Sequence, residues 1–223
     1  MAEARPFDPA PLMSDLRKAI KRRRQRQGRA LRVLGVVFIL GALAVGGYVW
    51  WLLWGTGFET KAAQNELRPG FEQLVGTKDK ESVPKAEKVV DVPGKPVMII
   101  EIPEIDVDYV VVEGTDTQSL KKGPGHYTET AYPWQNEGAV GIAGHRTTYG
   151  APFWAIDRLE EGDEITLATE YGVYEYRVTE SKITTPTNGR VLRWTDEPTL
   201  VLTTCHPRFS AAERLIVFAE RVD

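Results

Sequence analysis

Residues 201–215 read Val201-Leu202-Thr203-Thr204-Cys205-His206-Pro207-Arg208-Phe209-Ser210-Ala211-Ala212-Glu213-Arg214-Leu215. The apolar run Ile216-Val217-Phe218-Ala219 follows directly. Thr199–Thr204 and Leu215–Arg221 are short, β-branched and apolar, as strands of a core are, and Pro207 to Ala212 breaks the chain between them. The only cysteine among 223 residues therefore falls at the end of one strand, and Arg214 falls at the mouth of the next.

The same reading continues upstream. Val97–Ile102 and Val107–Val112 are expected strands on either side of a bend at Pro103. Thr115 or Asp116 can cap a brief helix through Leu120, which Gly123-Pro124-Gly125 stops. Ala139–Ala143 is a short strand running into Gly144-His145. Pro152 suits the first turn of a helix at Phe153–Leu159, closed by the turn Glu160–Asp163. Strands at Glu164–Thr169 and Val173–Thr184 complete the series. Many short strands with only brief helices predict a mainly β fold, a closed or nearly closed β-barrel over residues 96–223. That length is enough to fill one hydrophobic core.

The N-terminal part is of another kind. Residues 1–32 carry ten Lys or Arg against three acidic residues, a net +7, whereas the whole chain is at −3. Residues 33–54 (VLGVVFILGALAVGGYVWWLLW) are 22 positions without a charge, an amide or a proline. As a helix they reach about 33 Å, enough to cross a hydrocarbon layer of about 30 Å. Tyr48, Trp50, Trp51 and Trp54 gather at one end, as an interfacial aromatic belt does. The bulky WWLLW end is a poor cleavage site for a signal peptide, so a retained transmembrane anchor is expected. Basic flanks stay inside, which puts residues 1–32 in the cytoplasm and everything after Trp54 outside a single-pass cell membrane anchor. This topology accounts for the basic arm without nucleic acid. Residues 55–95, rich in Lys and Glu with Pro69, Pro84 and Pro93, are expected to be an extracellular stalk, with at most a short helix at Glu59–Leu67.

Cys205 admits two readings from its residues alone. A free cysteine is commonly a small buried hydrophobe. It can also be a nucleophile, which requires a base or an electropositive setting to supply thiolate. Of three histidines, His145 ends a strand behind a glycine, and His126 lies in a glycine-rich turn and is structural by default. His206 adjoins the cysteine, but successive strand residues point to opposite faces. No HExxH, CxxC or paired-His spacing is present, so no metal is expected, and nothing calls for another cofactor. Arg214 is a solvated strand cap unless the loop Phe209–Glu213 brings it beside Cys205. There its guanidinium could meet a carbonyl or an oxyanion.

These residues resemble the sortase family, the membrane-anchored cysteine transpeptidases of Gram-positive bacteria. Val201-Leu202-Thr203-Thr204-Cys205 is similar to the T-L-x-T-C signature with Val in the first place. Ala143-Gly144-His145 matches the histidine motif, and Arg214 the arginine that opens the last strand. The similarity covers roughly 97–223. His145–Phe153 and Thr204–Ser210 look most like class E of actinobacteria, from which this chain departs at His206, where that class has asparagine. It departs again at Trp134 and Ala139, in a loop that gains one residue.

The resemblance implies a sortase-type barrel in which Cys205 is the nucleophile, His145 the acid and base, and Arg214 the oxyanion and substrate partner, helped by Thr204. It implies cleavage of an LAxTG- or LPxTG-like sorting signal of secreted proteins and transfer to an amine of a cell-wall (peptidoglycan) precursor. Tyr149 is a candidate for signal preference, beside its plainer reading as a rim aromatic. The chain ends soon after the last strand without a second apolar segment, which favours an anchoring role over pilus assembly. Two alternatives share the residues: an exported cysteine peptidase that passes its acyl group to water, and a non-enzymatic peptide-binding surface module.

Overall fold

The computed structural model describes residues 10–78 and 92–222. The first nine residues of the basic arm and positions 79–91 of the expected stalk lie outside the described residues. The chain divides into two compact units, residues 1–50 and 51–223.

In the first unit helix α1 spans Ala10–Trp50. Its apolar side chains from Leu31 to Trp50 are exposed, and the stretch is long and apolar enough to cross a membrane.

The second unit opens with a π-helical turn, Trp51–Gly55, and helix α2, Thr56–Glu72. Eight strands then close a barrel. They are β1 (Pro96–Ile102), β2 (Val107–Glu113), β3 (Gly125–His126), β4 (Ala139–Ala143), β5 (Glu164–Thr169), β6 (Gly172–Thr184), β7 (Thr199–His206) and β8 (Glu213–Arg221). The order around the barrel is β1-β2-β3-β4-β7-β8-β6-β5. β4 runs parallel to β7, and β7 antiparallel to β8. Period-two alternation sends Met98, Ile100 and Ile102 of β1 inward with Leu200 and Leu202 of β7 and Leu215 and Val217 of β8. Ile99 and Val201 face outward and are buried all the same, because Phe71 of α2 covers the first and Val191 and Leu192 cover the second. Second-layer cover of this kind is why β1 and β7 read as continuous apolar runs.

Besides β3, which no expected strand matched, and shifts of one or two residues at other strand ends, four elements differ from the sequence expectation. The short helix α3 (Thr117–Lys122) forms under an Asp116 cap, whose carboxylate accepts from the backbone N–H groups of Gln118 and Ser119, but it runs two residues past Leu120. Phe153–Leu159 is not an α-helix. The Phe153 N–H donates to the His145 carbonyl, and only a 3-10 turn follows at Ile156–Arg158. Phe153 and Ile156, both fully buried, are pulled into the barrel end at a spacing of three, which suits the tighter turn. β7 continues through His206, so Cys205 lies within the ladder and not after it.

The fourth difference is α2, where a tether was expected. Thr56, Thr60, Gln64 and Arg68, four residues apart, make one face of it. The Thr60 hydroxyl donates to Lys121 O (2.7 Å), and Arg68 donates to the Asp108 carbonyl and pairs with its carboxylate. Gln64 accepts from Val110 N–H (2.8 Å) while its amide donates to the carbonyls of Val110 and Lys122 (2.9 Å each). The helix is thus hydrogen-bonded to the outside of β2 and to the end of α3.

Candidate active site

Cys205 and Arg214 are Cα partners on the β7–β8 ladder. Directly opposed residues share a face, so thiol and guanidinium project from the same side of the sheet. That side is the outer one, because Leu200 and Leu202 point inward and Val201, Thr203 and Cys205 alternate with them. On the other flank of β7, Ala143 of β4 is the partner of Thr203. The Gly144 N–H donates to the Thr203 carbonyl (3.0 Å), which carries the parallel pairing one residue further. His145 and Cys205 are each two residues beyond that matched pair. Cys205 and Arg214 thus share one face of β7 and β8, and His145 stands two residues past the end of β4, on the flank of β7 that the β4–β7 pairing sets.

His145 is half-buried, and its ring lies against that of Tyr149 (centroids 4.9 Å apart). Nδ1 is 3.5 Å from the Thr148 hydroxyl, whereas Nε2 is buried with no hydrogen-bond partner among the described residues. Desolvation by burial holds this imidazole below its ordinary pKa, so it is neutral near pH 7 and Nε2 can take up a proton. Arg214 donates to the carbonyls of Ala211 (3.1 Å) and Glu213 (3.0 Å), bonds an incoming carbonyl could replace. It borders a cavity of about 180 Å³ whose walls include Tyr127, Asn188, Leu192 and Thr203. Tyr127 and Thr203 are joined there by a hydroxyl–hydroxyl bond of 2.9 Å.

Thr204 is not brought to this face. It is 3 % exposed, points inward, and its hydroxyl donates to the Gly144 carbonyl (2.7 Å). Its side chain ties the histidine-bearing loop to β7. Tyr149 sits at φ 51 beside His145, and its N–H donates to the Thr56 hydroxyl of α2 (3.0 Å). His126 is buried with Nδ1 3.0 Å from Glu113 and Nε2 3.0 Å from the Ala131 carbonyl, a structural cross-link on the β2–β3 edge. The loop with Trp134 is well anchored, since Trp134 stacks on Tyr132 and Arg221 donates to the carbonyls of Pro133 and Gln135. Among the described residues no group of three or more His, Cys, Asp or Glu could hold a metal.

The sequence reading passed over Arg146. It is 3 % exposed, and Nη1 is 2.9 Å from His206 Nδ1 and 3.3 Å from the Cys205 carbonyl. Nη2 pairs with Asp157 (3.0 Å). The only sequence signal for it was its place next to His145.

The closed barrel has known relatives. A family model described as the sortase domain matches residues 100–222. The chain belongs to the sortase family. It is 32% identical over 201 residues to Sortase D of Bacillus subtilis, covering 86% of this chain and 98% of that one. To Sortase SrtE1 of Streptomyces coelicolor it is 30% identical, covering 92% of this chain and 62% of that one. Among solved structures, Sortase E1 of S. coelicolor with a tripeptide in the active site is similar at 33% identity and TM-score 0.55, covering 60% of this chain and 92% of that one. A sortase D5 transpeptidase of Clostridium perfringens is similar at 30% identity and TM-score 0.59, over 74% and 99%. Sortases are cysteine transpeptidases, and this sortase is an enzyme of that type.

Proposed function

We infer that this sortase cleaves an LAxTG- or LPxTG-like sorting signal of secreted proteins and joins them to an amine of a cell-wall precursor. We place it outside the cell on a single N-terminal anchor, α1. The observation that supports the reading most is the pairing of Cys205 with Arg214 across the β7–β8 ladder, with His145 just past the end of the strand beside β7. The Cys205 thiol proton passes to His145 as Sγ attacks the carbonyl carbon of the signal's threonine. The oxyanion that forms is met by the Arg214 guanidinium. The C–N bond then breaks, His145 returns its proton to the leaving glycine amine, and a thioester remains on Cys205. An acceptor amine attacks that thioester and loses its proton to His145, and the C–S bond breaks to give a new amide. The cavity beside Arg214, walled by Tyr127 and Leu192, suits an extended peptide entering from that side. Class E membership is supported by the Streptomyces relatives and by His145–Phe153. Sortase D of B. subtilis is the competing comparison, and peptide preference decides between them.

The test uses the full chain in detergent with LAxTG and LPxTG peptides, with and without an added amine, read by peptide and intact-protein mass. A thioester adduct and an amine-dependent ligated product, both lost in Cys205→Ala, are expected. Cleavage that ignores the amine would make the protein a peptidase in practice. A preference for LPxTG would overturn the class E reading.

A further inference from the structure

We propose that Arg146 and His206 form a clamp that sets the position of Cys205 relative to His145, with both acting as positioning residues. The inference rests on reading Cys205 and His145 as the reacting pair. Arg146 follows His145 directly, so its backbone belongs to the loop that carries the imidazole. Its guanidinium reaches across to the strand that carries the thiol, donating to the Cys205 carbonyl and to His206 Nδ1. Asp157, on the 3-10 turn, holds the far side of the same guanidinium and also accepts from Arg208 (2.7 Å). Arg208 lies over the Trp154 ring and donates to its carbonyl. Three segments thus meet at one buried cation, the His145 loop, the 3-10 turn and the end of β7, and the β7–β8 loop joins them through Asp157.

The chemistry of the central bond is one-sided. A guanidinium has only donors, so His206 Nδ1 must accept, and the imidazole proton must sit on Nε2. An asparagine at 206 offers an uncharged oxygen acceptor in place of the ring nitrogen.

The full chain in detergent is assayed for peptide ligation, with Tm recorded for every variant. His206→Ala is expected to lower kcat about tenfold with KM within about twofold, the mark of a displaced reacting pair. His206→Asn is expected to recover most of that loss. Arg146→Lys, which keeps the charge without the fork, is expected to lose as much as His206→Ala. The alkylation rate of Cys205 by iodoacetamide, measured on the same variants, needs no sorting peptide and is expected to fall in His206→Ala and recover in His206→Asn. If His206→Ala matches the wild type in both ligation and alkylation, or if His206→Asn recovers nothing, the clamp is overturned. A wild type that alkylates normally but ligates no peptide overturns the substrate reading and leaves the clamp decided by alkylation.

Discussion

Cys205 and Arg214 face each other across one rung of the β7–β8 ladder, yet the guanidinium is bonded to the carbonyls of Ala211 and Glu213. Arg214 is therefore fixed beside the thiol without being spent on it. Its contribution should come when a substrate carbonyl replaces a loop carbonyl. Arg214→Ala is expected to lower kcat/KM by about 100- to 1000-fold, the range for loss of an oxyanion donor. Iodoacetamide alkylation of Cys205 should stay within about threefold. An alkylation rate that falls as far as ligation would assign Arg214 to thiolate support.

His145 carries a pH signature with a definite sign. Burial makes its imidazole harder to protonate in the folded chain than in the unfolded one. As pH falls through the ordinary imidazole range the unfolded chain takes up the proton first, so stability present at higher pH is lost. His145→Gln should lose less Tm than the wild type between about pH 7.5 and about pH 5. Side-chain NMR should place the His145 midpoint below that of a free imidazole. Equal Tm losses in the two proteins would mean that His145 is not desolvated in the folded enzyme.

Gln64 tests whether α2 is part of the catalytic unit. Removing its amide leaves the Val110 N–H and the carbonyls of Val110 and Lys122 without that partner on a covered face. Gln64→Ala is expected to cost about 2–3 kcal/mol, seen as a Tm lower by roughly 5–10 °C. A Tm within about 2 °C of wild type would return α2 to the status of a tether.

That helix also shows what a sequence can and cannot disclose. The strands were legible because a barrel strand repeats its apolar side every second residue, and Ala139–Ala143 and Glu164–Thr169 were read with their observed ends. α2 was legible only in part, as a possible short helix at Glu59–Leu67, because much of the face it presents to the barrel is polar. A search for apolar periodicity passes over Thr56, Thr60, Gln64 and Arg68, although their spacing of four is itself helical. β3 is two residues long, too short for any pattern to mark. Cys205, His145 and Arg214 could be picked out by motif and order along the chain. Arg146 could not, because its bonds join residues 59 and 60 positions apart and exist only once β4 lies beside β7. Thr204, which the resemblance implied as a helper of Arg214, is turned inward to Gly144 by the strand's alternation.

Gly144 is where the fold and the chemistry are most tightly joined. Its N–H bonds to Thr203, its carbonyl accepts from Thr204, and a Cβ there would overlap the ring of Phe153, which is fully buried. The ring has no solvent to move into, and its own N–H is held by the His145 carbonyl, so the backbone under the histidine must give way. Gly144→Ala is expected to lower kcat by about 100-fold, as an ångström-scale misplacement of the base would, along with a reduced Tm. Phe153→Leu removes part of the obstructing ring. The double variant Gly144→Ala/Phe153→Leu should then ligate faster than Gly144→Ala alone, a coupling that separable effects would not give. Additive losses would show that the glycine is needed for some reason other than the close approach of Phe153.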